Sequence, residues 1–339
     1  MTAMLGVIMI HVSSGYVYLP SSVSLLGGNL AFFLNQFSRF SVPLFLILSG
    51  AALSRSRPPA GKDVLRFYGR RGRKLLLPYV VWSAFYCMFV QNWTLNELLG
   101  LPFLRTLLLG QAAPHLYFVV VLAQCYLVYP LLCRWMERSA CACLVTLFTL
   151  TFWAQNLIEF RAFGLELIPW TLPSRHFWLM LPAWIFYFAA GMVLTPCRMA
   201  ALRRLTAGAP LSFFSAGAAL AMLSAVEGLA AGQMESSLRP LLLPYQFLVL
   251  PALLAAWGGI CRVTWIRRAV GFLARHSMTI YFCHVFFLVC FQGREVFSGT
   301  RGFLLLYLAV LAAAAAGAFL LDTGETICKT VGKRARRDK

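Results

Sequence analysis

The sequence predicts an all-α fold: a polytopic membrane protein of about ten transmembrane helices with both termini in the cytoplasm. Three observations predict it. First, the 339 residues are 60% hydrophobic and only 12% charged, with a mean hydropathy of +0.74. Soluble domains carry roughly 25% charged residues, so soluble, disordered and fibrous classes are excluded. Second, ten apolar runs follow one another with short polar connections, and the alternation suited to a β-barrel is absent. In lipid such runs must be helices, because a lone strand would leave its backbone groups unpaired. Third, with the amino terminus inside, the inner segments hold 23 Lys and Arg and the outer loops hold 6. Basic residues gather on the cytoplasmic side of membrane proteins, so this split sets the orientation.

The first run, 1–19, lacks a basic n-region and an A-x-A-like cleavage site, so it reads as a retained span. It contains His11. An ionisable group inside a span is expensive and faces the bundle interior. Imidazole suits a general base at neutral pH, and a structural imidazole bonded to a neighbouring helix is equally compatible. The second run, 30–53, carries Arg39 among Asn35, Gln36, Ser38 and Ser41, so this stretch cannot face lipid all round. A buried guanidinium there can hold an anion or orient a polar substrate; the alternative is an outer-end Arg that snorkels to the interface.

The inner segment 54–74 is the densest basic patch, ending in Arg66, Arg70, Arg71, Arg73 and Lys74. Such a cluster can grip phosphates, although orientation alone also explains it. Pro78 fits the first turn of the third span, 75–92, where a missing N–H costs little. His115 and Tyr117 open the fourth span, 115–133, at its outer mouth, followed by Tyr126 and Tyr129. Spans five to eight are 140–158, 179–195, 211–229 and 241–261, with few polar residues. The outer loops 93–113 and 159–178 separate neighbouring spans, and His176 in the latter is expected to be exposed. The ninth span, 276–292, places Tyr281 and His284 at i and i+3, on one helix face. The tenth is 302–321, so residues 1–321 form one membrane domain and 322–339 a short basic cytoplasmic tail, of which 329–339 is expected to fray.

The net charge of +19 is accounted for by this orientation, so no nucleic-acid partner is expected. The ten cysteines lie mostly in apolar runs, without a CxxC pair, and read as small packing residues; no metal site is expected. There is no G-x-S-x-G elbow, Walker A, H-E-x-x-H or dinucleotide fingerprint. Paired carboxylates within the spans and visible internal repeats are also absent, which disfavours a proton-coupled or inverted-repeat transporter.

In this order the motifs resemble the acyltransferase 3 family of bacterial integral-membrane O-acyltransferases over nearly the whole chain. The first-span His is matched by His11. The second-span pattern is matched by Arg39, Val42, Pro43, Leu44, Phe45, Ser49 and Gly50. The basic run ending in Pro-Tyr is matched by Arg70, Arg71, Arg73, Lys74, Pro78 and Tyr79, with Trp82 after it. The H-L-W-F opening of the fourth span appears as His115, Leu116, Tyr117 and Phe118, with Tyr126 and Pro130 downstream. Tyr187, Phe188 and Gly191 match Y-F-x-x-G, and Ser277, Tyr281 and His284 match S-x-x-x-Y-x-x-H.

The resemblance implies an enzyme, an acyltransferase for groups other than amino-acyl groups, in a bacterial plasma membrane. It would carry an acyl group, acetyl by default, from cytoplasmic acyl-CoA to a hydroxyl of a cell-envelope glycan or lipid-linked sugar. No permanently bound cofactor is implied. His11 would be the base or a transient acyl carrier, with Arg39 holding the polar site. Arg70, Arg71, Arg73 and Lys74 would face the CoA phosphates. His115, Tyr117, Tyr281 and His284 are secondary site residues. The family's Arg about eleven residues before the first-span His would fall just before Met1, and Gly72 replaces a common aliphatic residue in the basic run. No extracytoplasmic esterase-like domain follows residue 321, so transfer is expected to be direct or through a separate extracytoplasmic partner. A transporter or flippase for a polar lipid-linked or small solute is the competing reading.

Overall fold

The computed structural model describes residues 1–17, 25–55, 58–162, 179–230, 237–260 and 262–337, and all regular structure among them is helical. His176 and most of the loop 159–178 lie outside these residues. Among the described residues, three helices are long and apolar enough to cross a membrane: Leu30–Leu53, Tyr117–Ile158 and Arg301–Thr323. Counting each of two sharply bent pairs as one span brings the number to five, and shorter apolar helices accompany them. The chain divides into two units, Met1–Ser38 with Ile260–Lys339, and Arg39–Gly259.

In the first unit, α1 (Thr2–Val17), α2 (Leu25–Phe37), α13 (Ser277–Phe291) and α14 (Gly299–Arg337) pack on one another, and α12 (Thr264–Arg275) leads into α13. The core includes Met4, Ile8, Ile280, Phe282 and Phe303, none more than 1% exposed. α14 presents Leu304, Leu305, Leu308, Leu320 and Leu321 outward. An apolar face of that size is stable only against lipid or another protein. α14 continues as helix to Arg337.

The second unit holds α3 (Ser41–Leu53), α4 (Asp63–Phe89), α5 (Leu95–Leu98), α6 (Leu101–Leu109) and α7 (Tyr117–Ala162). It continues with α8 (Ile185–Met192), α9 (Pro196–Ala207), α10 (Pro210–Ala230) and α11 (Leu242–Ile260). Its tightest contact is α3 on α8. A Cβ added to Gly50 would lie 2.1 Å from the Phe188 carbonyl oxygen, and one added to Gly191 would lie 2.0 Å from that of Ile47. Backbones approach so closely only where small residues meet, and this close approach replaces the hydrophobic drive that lipid cannot supply.

Three sequence expectations change. Pro78 does not open a helix but sits inside the continuous α4. Its ring nitrogen cannot donate to the Lys74 carbonyl, a defect that helices at a membrane tolerate when neighbours or water satisfy the freed group. The sixth run is helical only over Ile185–Met192, about 12 Å at 1.5 Å per residue, and then turns by 96° into α9. The segment 93–113, expected as an outer loop, is not an open loop. It folds into α5 and α6, and Gly110 with φ +62° ends α6 where a Cβ would also strike the Tyr117 backbone at 2.5 Å.

At the start of α5, Glu97 accepts hydrogen bonds from the Thr94 backbone N–H at 2.7 Å and its hydroxyl at 2.8 Å. These hold the Glu97 carboxyl below its ordinary pKa, so this cap is intact at neutral pH and is lost only as acid protonates the group.

The fourth and fifth runs form one element, α7, broken at Ser139, whose backbone is extended (φ −158°, ψ 98°). The Ser139 hydroxyl accepts from the Ala142 N–H at 3.2 Å and so caps the second arm. α7 also supports the irregular stretch before α8. Gln124, Thr151 and Gln155 donate to the carbonyls of Leu179, Pro182 and Ala183 at 2.8, 2.7 and 3.0 Å. Non-helical backbone at membrane depth needs partners of this kind.

Candidate functional site

Within the first unit α1 carries His11 and α13 carries His284, and their rings lie 5.4 Å apart at 46°. His284 is fully buried, whereas His11 is half-buried. His284 Nδ1 lies 2.7 Å from the Tyr281 carbonyl oxygen. A carbonyl only accepts, so Nδ1 carries the proton, and in the neutral ring Nε2 is the acceptor. The i, i+3 spacing of Tyr281 and His284 thus fixes a tautomer through the backbone. The Tyr281 ring also sits 6.0 Å from the imidazole.

Polar groups surround the next turn of α1. The Asn35 amide donates to the Ile10 carbonyl at 3.1 Å, Ser13 Oγ at 2.9 Å and Ser14 Oγ at 3.3 Å, and Gln36 Nε2 donates to Asn35 Oδ1 at 3.2 Å. This belt ties α2 to the turn that bears His11. It explains why Asn35 and Gln36, each no more than 2% exposed, occur in an otherwise apolar run.

In the second unit Arg39 is 4% exposed, in the 3₁₀ turn Ser38–Phe40 that precedes α3. His115, 2% exposed, stands edge-on to Tyr86 with ring centres 5.6 Å apart. Tyr117 lies 6.4 Å from Trp184.

The basic run forms one wall of a cavity of about 490 Å³, lined by Arg70, Arg71 and Lys74 together with Asp63, Phe67 and Tyr129. Arg71 sits 5.7 Å from the ring centres of both Phe67 and Tyr126, which holds its guanidinium in place. Arg73 is not on the wall. At about 100° per residue, positions 63, 67, 70, 71 and 74 share one face of α4, and 73 falls to its side. Three cations around a cavity of this size suit a polyanion.

Sequence reading missed two groups. Arg239, assigned to an outer loop, is fully buried, with its guanidinium donating to the Ser224 carbonyl. His276 bonds through Nδ1 to the Asp322 carboxylate, which also accepts from Thr279 Oγ1 at 2.9 Å. The spacing of His276 and Thr279, at i and i+3, was the available signal; their acidic partner lies a whole helix away.

The first unit sets one imidazole beside another, and the second unit buries an Arg and lines a cavity with basic residues; groups of these types suit group transfer. A family model described as an acyltransferase domain matches residues 1–323, which includes every one of these groups. No curated protein and no solved structure matches the chain. With so much of the sequence covered, the chain belongs to the acyltransferase 3 family and is a membrane acyltransferase.

Proposed function

We propose that this acyltransferase moves an acyl group, acetyl in the simplest case, from acyl-CoA to a hydroxyl of a cell-envelope glycan or lipid-linked sugar. The observation that carries the reading is the half-buried His11 set against the fully buried, tautomer-defined His284. His11 takes the proton of the acceptor hydroxyl as its oxygen attacks the thioester carbonyl. The new C–O bond forms, the C–S bond breaks, and the proton passes from His11 to the departing CoA sulfur. His284 holds the His11 ring and Tyr281 fixes His284. In the second unit Arg39 is proposed as a further site residue, with His115 and Tyr117 secondary to it. An acyl-His11 intermediate, or a separate extracytoplasmic carrier of the acyl group, uses the same residues. Family membership favours this chemistry over transport alone. The test is mass spectrometry of envelope glycans from cells with and without the gene, paired with thioester loss by purified protein. Unchanged glycans and no acyl-CoA turnover would remove the proposal.

The charge split supports ten spans in a bacterial plasma membrane with both termini inside. A reporter fused after Lys339 is expected to be active in the cytoplasm, and one inserted in 159–178 to be active outside. A carboxy-terminal reporter that works only outside refutes the ten-span topology.

Arg70, Arg71 and Lys74 are proposed to hold the CoA phosphates at the cavity beside α4. Replacing Arg70 and Arg71 together by Ala is expected to weaken acyl-CoA binding at least about tenfold, since a hydrogen bond to a charged group contributes about 1.5–3 kcal/mol. High salt should reproduce part of the loss, and Arg73→Ala should change little. Equal binding by all variants would leave the run as an orientation signal only.

A further inference from the structure

Beyond acyl transfer, we propose that α12 is an interfacial helix that binds anionic phospholipid headgroups. The first observation is its pattern. At about 100° per residue, Arg267, Arg268 and Arg275 fall within one arc of about 100°. Trp265, Ile266, Val270, Phe272 and Leu273 take the opposite side. The second observation is that no residue of α12 is buried, and Trp265 is 71% exposed. Ile266, Val270, Phe272 and Leu273 are only partly covered. Such a face would be a liability in water; at the edge of a bilayer it is a seat.

The third observation is geometric. α12 meets α13 at 81°, so an α13 that crosses the bilayer lays α12 along its surface. The elbow between them is built. His276 ends α12 and bonds to Asp322 of α14, Thr279 bonds to the same carboxylate at 2.9 Å, and the Phe272 ring lies 4.7 Å from His276 and 6.0 Å from Phe319. One end of the helix is thus fastened to the first unit, and the end bearing Trp265 extends away from these contacts. Apolar side chains enter the acyl region while the three guanidiniums remain at headgroup level, where only a negative phosphate complements them. Arginine, with its forked donors, suits a phosphodiester better than lysine does.

The test uses full-length protein in detergent, titrated with dioleoyl-phosphatidylglycerol or dioleoyl-phosphatidylcholine and read by native mass spectrometry. The parent protein should retain the anionic lipid preferentially. The triple variant Arg267→Gln, Arg268→Gln, Arg275→Gln should lose at least about tenfold in affinity for it, with phosphatidylcholine unaffected. The corresponding triple Lys variant should keep most of the preference. Should the Gln variant fail to fold, hydrogen exchange of the parent decides. Residues 264–275 should exchange more slowly in nanodiscs containing phosphatidylglycerol than in phosphatidylcholine alone. Equal lipid retention by parent and Gln variant, or equal exchange in the two nanodiscs, overturns the proposal. So does inorganic phosphate that competes as strongly as the lipid, because the site would then be for a free ion.

Discussion

Replacing His11 by Ala is expected to lower acyl transfer by at least about two orders of magnitude, the lower end of what a positioned base contributes. Expression and membrane insertion should stay close to normal. His11 is half-buried, and the hydrogen bonds that tie α1 to α2 run through Ile10, Ser13 and Ser14, so they survive the change. The measurement is thioester loss from acyl-CoA, or acyl content of the acceptor, at equal protein level. His284→Ala should cost less, because His284 touches His11 rather than the reacting atoms in this mechanism. As a positioning residue it should also shift the pH profile, while Arg73→Ala should not. A well-inserted His11→Ala protein with near-normal turnover would remove the base from the mechanism.

The second large effect is on folding. Gly191→Ala places a methyl group 2.0 Å from the Ile47 carbonyl oxygen, and Gly50→Ala places one 2.1 Å from that of Phe188. Both obstacles are backbone, so neither can swing aside and α3 and α8 must separate. Overpacking of this kind costs about 3 kcal/mol, the top of the usual range, and Val in place of Ala should abolish the folded peak on size-exclusion. Gly69 and Gly271 provide the control, since a Cβ at either meets nothing within 4 Å. Both lie in helices, so Ala there should be neutral or stabilising by roughly 0.5–1 kcal/mol. If all four Ala variants melt alike, the close helix crossing does not exist in the folded protein.

The motif residues legible in the sequence turn out to serve different purposes. Gly50 and Gly191 lie at a helix crossing, far apart in the second unit's sequence. Tyr281 acts on His284 through its carbonyl, which any residue at that position would present. Of the four basic residues assigned to one cluster, Arg70, Arg71 and Lys74 line the cavity and Arg73 does not, a division that follows the helical periodicity of α4. That division required knowing that α4 runs unbroken through Pro78. A single proline is compatible with a helix start or a tolerated interior defect, and only packing against neighbours selects between them.

The sequence by itself determined the helical membrane class, because 60% hydrophobic residues and 12% charged ones leave no aqueous alternative. It also located the apolar runs, the basic asymmetry and His11, each a property of a short stretch. The tertiary structure decided which distant stretches meet. It set the His11 ring against His284, buried Arg239, and gave the Leu179, Pro182 and Ala183 carbonyls their partners on α7. It also turned α12 away from α13. Composition and periodicity report how each residue responds to its solvent. Helix pairing in lipid rests on close packing and on hydrogen bonds between residues far apart in the chain, which no local pattern records.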